Sequence, residues 1–276
     1  MVTIPYQVDP AQSIASFKKE GDSLETVLSS ALTPDAAYIL GAVKNTVFVE
    51  TYNTNGELST PDDDSALFLH VENYCLLDGN YRCAEQTNGS NYTELPQLLP
   101  MEHLTDSKFS VDFVINRVGK VTLSVVLARR GGLYGEYFNN VQMQGTAVKS
   151  GVDATINFDW GENKLTDQSG DYVSAHWFGK LLAPRTEPFT FILNGDDGFR
   201  LFVDKKLKID RWNSCCDQMT VILDLVEGVF YDIVLEYKEL QHSASLKLEW
   251  ESPSVQRGVI PSSNLFSTFR VANQVF

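Results

Sequence analysis

The sequence is poor in basic residues, histidine and cysteine, and it contains no long apolar run. Its 276 residues include 22 lysines and arginines against 36 acidic residues, which gives a formal net charge of −14. A nucleic-acid partner needs a concentration of basic side chains, so this class is excluded. No stretch reaches the roughly 18 to 20 apolar residues of a membrane-spanning helix. The acidic balance is compatible with a cation site or a basic partner and, more simply, with an ordinary soluble surface.

Signatures of common enzymes are also missing. The sequence has no G-x-S-x-G elbow, no P-loop and no H-E-x-x-H string. Its four histidines lack metal-ligand spacing: His70, His103, His176 and His242. We therefore predict that the protein is not an enzyme.

The four cysteines form two close pairs. Cys75 and Cys83 flank a segment whose Asp78-Gly79 is a strong hairpin signal, so a disulfide between them is geometrically reasonable. Adjacent cysteines rarely bond to each other without distorting the peptide between them. We interpret Cys215 and Cys216 as two small buried apolar residues, with a redox or ligand role as the alternative. Their loop could neighbour the turn at Asp196-Asp197, because the strand before the loop directly follows that turn.

The cellular compartment stays open. Sequons at Asn88 and Asn91 are typical of a secreted protein. The N-terminus lacks the basic-then-apolar order of a secretory signal, which favours an intracellular protein or an internal segment of a longer precursor. The alternatives are an extracellular or cell-surface protein, favoured by a disulfide, and an intracellular scaffold such as a ciliary one, favoured by free thiols.

Strand patterns dominate the chain. Helical spacing is confined to the N-terminal run, where Ile14, Phe17, Leu24 and Leu28 recur and predict one or two short helices. Later runs such as KFSVDFVI and KVTLSVVLARR alternate apolar and polar residues and are separated by turn residues, as in antiparallel sandwiches. We predict an all-β chain of two tandem sandwiches, with an N-terminal extension over 1–33, a first sandwich over 34–130 and a second over 131–270.

The first sandwich resembles a filamin-type immunoglobulin-like repeat. The resemblance rests on TVFVETYNTNGEL, DGNY and GKVTLSVVLARRGG in this order, and it covers residues 34–130. The run from Cys83 to Thr105 is long for a connection in that fold and predicts a protruding loop. Gly131-Gly132 is the expected junction, because the strand pattern restarts after it.

One string of the second sandwich predicts its own local structure. FTFILNGDDGFRLFVDKKLKID indicates a strand, a tight turn at Gly195 to Gly198, a second strand, and another turn at Asp204-Lys205. In the second strand, Phe199, Leu201 and Val203 share one face, and Arg200 and Phe202 share the other.

The second sandwich resembles the anthrax protective-antigen-type domain. The resemblance rests on six strings in this order: GLYGEYFNN, INFDWGENK, the string above, GVFYDIVLEYKE, SASLKLEWESPS and VIPSSNLF. The resemblance spans most of residues 131–266 and implies a β-sandwich of the kind found in bacterial toxins, glycosidases and yeast adhesins. In such proteins the domain is usually an accessory module beside a catalytic one.

The adjacent residues Asp196 and Asp197 are the main candidate for a site. In the sugar-binding adhesins of this family, two neighbouring aspartates joined by a cis peptide hold calcium, which also binds sugar hydroxyls. Asp196 and Asp197 match that pair. Two carboxylates in a glycine-flanked loop supply the dense oxygen cluster that Ca²⁺ requires. The alternative is a turn whose aspartates accept hydrogen bonds from their own loop and bind no metal.

The rest of the expected site departs from the family pattern. The adhesins add an asparagine from a second loop, and the corresponding residues Lys238 to Ser243 contain none. Glu239 or Gln241 could supply an oxygen instead, whereas His242 is a poor calcium ligand. Trp212 follows the turn closely and is a candidate ligand contact.

Two functions follow as hypotheses. The first is a calcium-dependent carbohydrate-binding module, based on Asp196-Asp197 and the resemblance. The second is a structural or adhesive component of a filamentous or ciliary assembly that acts through protein contacts, based on the filamin-like half. Sheet faces and edges would then bind protein partners.

Overall fold

The structure is a computed structural model that describes residues 13–19, 26–27, 44–59, 61, 64–76, 97–105, 107–114, 119–214 and 216–275. In these ranges the chain is built of antiparallel β-strands, and its one helix is a 3-10 turn at Ser262–Asn264. The predicted all-β fold is confirmed. Nowhere in the same ranges is there a helix with the length and hydropathy needed to cross a membrane.

The strands are numbered in chain order. The first ten are β1 (Ile14–Lys19), β2 (Thr26–Val27), β3 (Lys44–Glu50), β4 (Ser65–Leu76), β5 (Gln97–Pro100), β6 (Glu102–Thr105), β7 (Lys108–Val114), β8 (Gly119–Arg130), β9 (Leu133–Phe138) and β10 (Lys149–Asp153). The others are β11 (Asn157–Gly161), β12 (Val173–Leu182), β13 (Glu187–Asp196), β14 (Gly198–Val203), β15 (Lys206–Asp210), β16 (Met219–Leu225), β17 (Phe230–Glu239), β18 (Ala244–Glu251), β19 (Gly258–Val259) and β20 (Leu265–Val275).

The chain divides into two compact units, one of Met1–Ala128 with Phe269–Phe276 and one of Arg129–Thr268. In the first unit, one sheet has the order β2-β1-β3-β7-β6, and β8, β4 and β5 are neighbours in another sheet, where β20 lies beside β8. Its core includes Val47 and Val49 of β3 and Leu123 and Val125 of β8, all fully buried. Buried residues alternate with less buried ones along β3, because successive side chains of a strand point to opposite faces.

The predicted N-terminal helix is wrong for Ile14–Lys19, which is strand β1. This segment pairs with β3 along its whole length, from Ile14 opposite Glu50 to Lys19 opposite Asn45. Ala15 is buried and Ile14 is 45% exposed. The apolar spacing that begins at Ile14 therefore did not identify the buried side of this segment. Pairing with a strand distant in sequence outweighs a weak local pattern. The helical positions Leu24 and Leu28 lie outside the described residues.

The filamin-type resemblance of residues 34–130 is not supported. The sheets of the first unit take in β1, which precedes this range, and β20, which follows it. A repeat that closes on itself would need neither strand. The protruding loop expected from Cys83 to Thr105 is wrong for its described part, because Gln97–Pro100 and Glu102–Thr105 are strands β5 and β6, each paired with a neighbouring strand. The rest of that run lies outside the described residues.

The second unit is a two-layer sandwich. One layer contains β15-β14-β17-β12 in this order, with β9 and β10 continuing beyond β12. The other contains β11-β18-β13-β16, with β19 paired to β18. Buried side chains of both layers meet in one apolar core, in which Trp177, Phe191 and Phe199 are each 0% exposed.

The local prediction for β14 and β15 is confirmed. Phe199, Leu201 and Val203 are buried, whereas Arg200 and Phe202 are only partly covered. Asp204 and Lys205 connect the two strands with φ angles of 47° and 60°. Positive φ at both central residues matches the right-handed twist of a tight hairpin.

Candidate functional site

The Asp196-Asp197 pair lies where the chain passes from one layer of the sandwich to the other. Strand β13 ends at Asp196 in one layer, and β14 begins at Gly198 in the other. Only Asp197 separates the two strands, and the peptide bond between the aspartates is cis. This is the geometry that the resemblance to sugar-binding adhesins implies for the pair.

Glycines flank the pair because neighbouring atoms leave no room for side chains. A Cβ on Gly195 would lie 2.9 Å from side-chain atoms of both Leu246 and Phe199. A Cβ on Gly198 would lie 2.4 Å from the carbonyl oxygen of Trp212, a backbone atom that cannot rotate away. The close packing at both ends holds the two aspartates in place.

Tyr237 of β17 links Asp196 to Glu239. Its ring lies in the core, and its hydroxyl contacts both the backbone carbonyl oxygen of Asp196 and, at 2.8 Å, Glu239 Oε2. A tyrosine hydroxyl has one hydrogen, so it can donate only one of these two bonds. If it donates to the carbonyl, the second bond requires a proton on Glu239, whose carboxylic acid then donates to the tyrosine oxygen.

The surroundings of Glu239 favour this protonated form. The residue is 0% exposed. Burial, together with the charges of Asp197 and Asp196, raises its pKa to about 8, against the lowering effect of the Tyr237 hydrogen bond. Its second oxygen, Oε1, is buried and has no hydrogen-bond partner in the described part of the chain. The carboxyl also interacts with the Asp197 side chain, and this interaction too favours the protonated form.

Asp197 and Asp196 are positioned by contacts on different sides. The backbone N–H of Leu240 donates to Asp197 Oδ2 at 2.8 Å, which ties the pair to the end of β17. Asp196 Oδ1 lies 2.9 Å from the sulfur of Cys216. Cys216 is in a disulfide, so its sulfur has no hydrogen to donate. Burial and the neighbouring charge of Asp197 raise the pKa of Asp196, and the charge of His242 lowers it.

The donor set fits a hard cation. The ligand atoms of Asp196, Asp197 and Cys216 all lie within 4.8 Å of one another. A disulfide sulfur is not a calcium ligand, whereas carboxylate oxygens are. The Glu239 carboxyl interacts with the Asp197 side chain, but its oxygens are not among the ligand atoms that lie this close together. Among the described residues, Asp196 and Asp197 are therefore the ones that could hold the cation, with Glu239 next to Asp197.

The remaining residues predicted from the sequence do not join this cluster. The guanidinium of Arg200 lies 4.3 Å from the Trp212 ring and the ammonium of Lys238 lies 4.9 Å from it, so two cations contact this indole. Gln241 is exposed, and its side chain makes no hydrogen bond among the described residues.

The interpretation of Cys215 and Cys216 as buried apolar residues is wrong for Cys216, which is exposed and disulfide-bonded. The reason is that this loop lies outside both layers of the sandwich, where no core is available. Cys215, Cys83 and the side chain of Cys75 lie outside the described residues, and so does the proposed Cys75–Cys83 bond.

Sequence reasoning missed Tyr237 as a neighbour of the aspartates. Tyr237 and Glu239 stand two residues apart in a strand and therefore share a face. That spacing was a usable signal once Glu239 was a candidate. The expected position of the Cys216 loop next to the aspartate turn agrees with the structure, in which Cys216 lies beside Asp196.

Fold and site together define a β-sandwich module with a candidate cation site. Residues 129–264 match the family model of the PA14 domain, so this part of the chain contains a PA14 domain. The protective-antigen-type resemblance is confirmed for these residues.

The chain is similar to parts of anti-sigma factor proteins and to a domain of an adhesin. Anti-sigma-I factor RsgI3 of Acetivibrio thermocellus is 40% identical over 137 residues, which are 49% of this chain and 21% of that protein. The match thus spans about a fifth of the relative. An anti-sigma factor domain-containing protein from Clostridium clariflavum is 19% identical, with a TM-score of 0.46 over 92% of this chain and 98% of that one. The PA14 sugar-binding domain from an RTX adhesin is 16% identical, with a TM-score of 0.40 over 49% and 98%.

Proposed function

We propose that the PA14 domain of this protein is a non-catalytic module that binds carbohydrate with the help of Ca²⁺ held by Asp196 and Asp197. The observation that carries the proposal is the close approach of the Asp196 and Asp197 carboxylates, with the buried carboxyl of Glu239 interacting with Asp197. Without a cation, the negative charge of Asp197 opposes ionisation of both Asp196 and Glu239.

Calcium supplies a centre with six to eight oxygen ligands, more than these residues provide, so positions remain for sugar hydroxyls. The chain's own residues keep the donors in place. Tyr237 fixes the carbonyl of Asp196, and the N–H of Leu240 orients the Asp197 carboxylate. The flanking glycines let both strands approach closely enough for this arrangement.

Glu239 takes the role that an asparagine of the second loop has in the adhesins. A cation bound at the pair would favour loss of the Glu239 proton, and the resulting carboxylate would then add a negative charge that attracts the cation. His242 is exposed and offers a nitrogen that Ca²⁺ does not favour, so we assign it no ligand role.

The first test is the melting temperature of the chain with Ca²⁺, with Mg²⁺ and with EGTA. A ligand that binds only the folded state stabilises it by about 2.7 kcal/mol at 100 times its Kd, a shift of several degrees. We expect this shift with Ca²⁺ and a smaller one with Mg²⁺, which dehydrates reluctantly. Asp197→Asn should remove it and still fold, because an amide oxygen can accept the Leu240 bond. The exposed Asp224→Asn in β16 is the matched control and should keep it.

The second test is a glycan array of plant, fungal and animal oligosaccharides, probed in Ca²⁺ and in EGTA. The proposal expects signals that require Ca²⁺ and that Asp197→Asn abolishes and Asp224→Asn retains. Absence of a melting shift at millimolar Ca²⁺ overturns the metal assignment, and absence of any array signal overturns the carbohydrate assignment.

A second candidate concerns the protein context and rests on the 40% identity to a segment of an anti-sigma factor. We propose that such a module serves as the ligand-binding part of a longer regulator. In the organism that carries the gene, Asp197→Asn should then abolish the transcriptional response to glycans that bind on the array. An unchanged response contradicts the proposal. The hypothesis of a filamentous or ciliary role depended on the filamin-type resemblance, which is not supported. This role stays a prediction.

A further inference from the structure

Backbone strain is concentrated around the aspartate pair. Among the described residues, those with left-handed φ other than glycine are Met143, Tyr172, Asp204, Lys205, Cys216 and His242. The hairpin between β14 and β15 accounts for Asp204 and Lys205. Of the others, Cys216 contacts Asp196, the charge of His242 acts on Asp196, and Tyr172 is hydrogen-bonded to Leu240. Tyr172 is the bulkiest of these three, with a φ of 53°. Left-handed φ is unfavourable for a bulky residue, and it persists where the surroundings enforce it.

Tyr172 is connected to the site through one residue. It immediately precedes β12, and its backbone N–H donates to the carbonyl oxygen of Leu240 at 3.1 Å. The N–H of the same Leu240 donates to Asp197 Oδ2 at 2.8 Å. Leu240 thus holds the backbone of Tyr172 with its carbonyl and the carboxylate of Asp197 with its amide.

The Tyr172 side chain faces solvent at this rim. It is 55% exposed, and Leu240 beside it is 37% exposed. Neither the ring nor the hydroxyl of Tyr172 has a stacking or hydrogen-bond partner in the part of the chain that the structure describes. By contrast, Tyr137 and Tyr237 of the second unit's core are buried, and their hydroxyls are bonded to carboxylates. Tyr172 therefore contributes little to packing, although its backbone conformation is unfavourable.

We propose that Tyr172 is a ligand-contacting residue whose ring packs against the apolar C–H face of a sugar bound at the aspartate pair. A pyranose presents hydroxyls along its edge and carbon-bound hydrogens on its face, so it can meet a cation and an aromatic ring at once. An aromatic side chain supplies large contact area with few rotatable bonds. Leu240 extends the same apolar surface. The inference rests on the proposed function, since the cation would bind the hydroxyls of this sugar.

The test compares Tyr172→Asn with Tyr172→Phe in the full chain. Asparagine tolerates left-handed φ, so the first variant removes the ring and keeps the backbone conformation. The second variant keeps the ring and removes only the hydroxyl. Ile222→Ala is the matched control, because Ile222 is a 65% exposed apolar residue of β16. Each is measured by calcium-induced melting shift and by the glycan array used above, with concentration series on the spots that wild type binds.

We expect all three variants to keep the calcium shift. Tyr172→Asn should lower apparent glycan affinity by about tenfold or more, and Tyr172→Phe and Ile222→Ala should remain within about threefold of wild type. Glycan affinity of Tyr172→Asn equal to wild type overturns this inference and leaves the proposed function intact. A calcium shift without array signals in wild type overturns both the inference and the carbohydrate assignment. No calcium shift in wild type overturns the metal assignment on which both rest.

Discussion

At the scale of single residues, Glu239 is the most informative side chain of the second unit. It is a carboxyl with 0% exposure, and one of its oxygens has no partner among the described residues. Its other oxygen meets a tyrosine hydroxyl that already contacts a backbone carbonyl. A proton or a cation can each relieve this arrangement, because either removes the uncompensated buried charge.

Glu239 should make the stability of the metal-free chain depend on pH. Its pKa is about 8 in the folded protein against 4.5 for the free side chain, so between these values the folded state holds a proton that the unfolded state has lost. The contribution of Glu239 to the free energy of unfolding should therefore be largest below pH 4.5. It should fall as the pH rises towards 8, by at most about 1.4 kcal/mol per pH unit.

The measurement is urea unfolding in EGTA at several pH values between 5 and 8. Asp196 and other groups also titrate, so the comparison is with Glu239→Gln, which cannot ionise and should show a clearly shallower decline. Identical pH dependence in the two proteins would contradict the assignment of a raised pKa to Glu239.

At the scale of strands, β12 is a central strand of the second unit, because it pairs with β17, β9 and β20. One side of it pairs with β17 from Val173 to Leu182, and the other side is shared by β9 and the start of β20. Gly179 stands at the junction between these two partners. The change of partner along one strand requires backbones to approach each other there, which only a residue without a side chain allows.

Gly179→Ala should destabilise the second unit. A Cβ at this position would lie 2.1 Å from the carbonyl oxygen of Phe266 in β20, and a backbone atom in a paired strand cannot move aside easily. Overpacking of this kind costs about 1 to 3 kcal/mol. Chemical denaturation should show a lower midpoint for Gly179→Ala. Gly151→Ala in β10 is the control, since no atom lies within 4 Å of its added Cβ. Equal midpoints for the two variants would refute the role of close approach.

At the scale of the whole chain, the division into two compact units shows which part has a core of its own, and the overall composition does not show this. The formal net charge of −14 attracts cations over the whole surface, so calcium effects have to be separated from general charge screening, and Mg²⁺ serves for this. The apolar core of the second unit is drawn from residues between Leu133 and Leu265, all within Arg129–Thr268. This unit thus has its own core.

Residues 129–268 should fold when produced alone. A unit whose core is complete within its own sequence satisfies the main requirement for independent folding. We expect a single cooperative thermal transition and the same calcium-induced shift as in the full chain. A segment that is unfolded by circular dichroism, or that folds and loses the shift, would show that the remaining residues are required.

For much of the second unit, the local sequence pattern was sufficient to predict the structure. The alternation in β14, the hairpin at Asp204-Lys205 and the glycine-flanked aspartate pair could all be read from short strings, because side-chain direction and turn preference depend on neighbours in sequence. The order of the strings identified the PA14 domain. In the first unit the same reasoning found strands but misassigned Ile14–Lys19, since a weak apolar spacing does not distinguish a helix from a paired strand.

By itself, the sequence determined that the chain is all-β, where the PA14 domain lies and which two aspartates form the candidate site. Tertiary structure alone decided that β20 joins β8, that Glu239 is buried beside Asp197, and that Leu240 connects Tyr172 to the pair. The physical reason is that these contacts join residues far apart in the chain. Their formation depends on which strands pair and on what the close packing of two layers leaves exposed, and short-range periodicity carries no information on either.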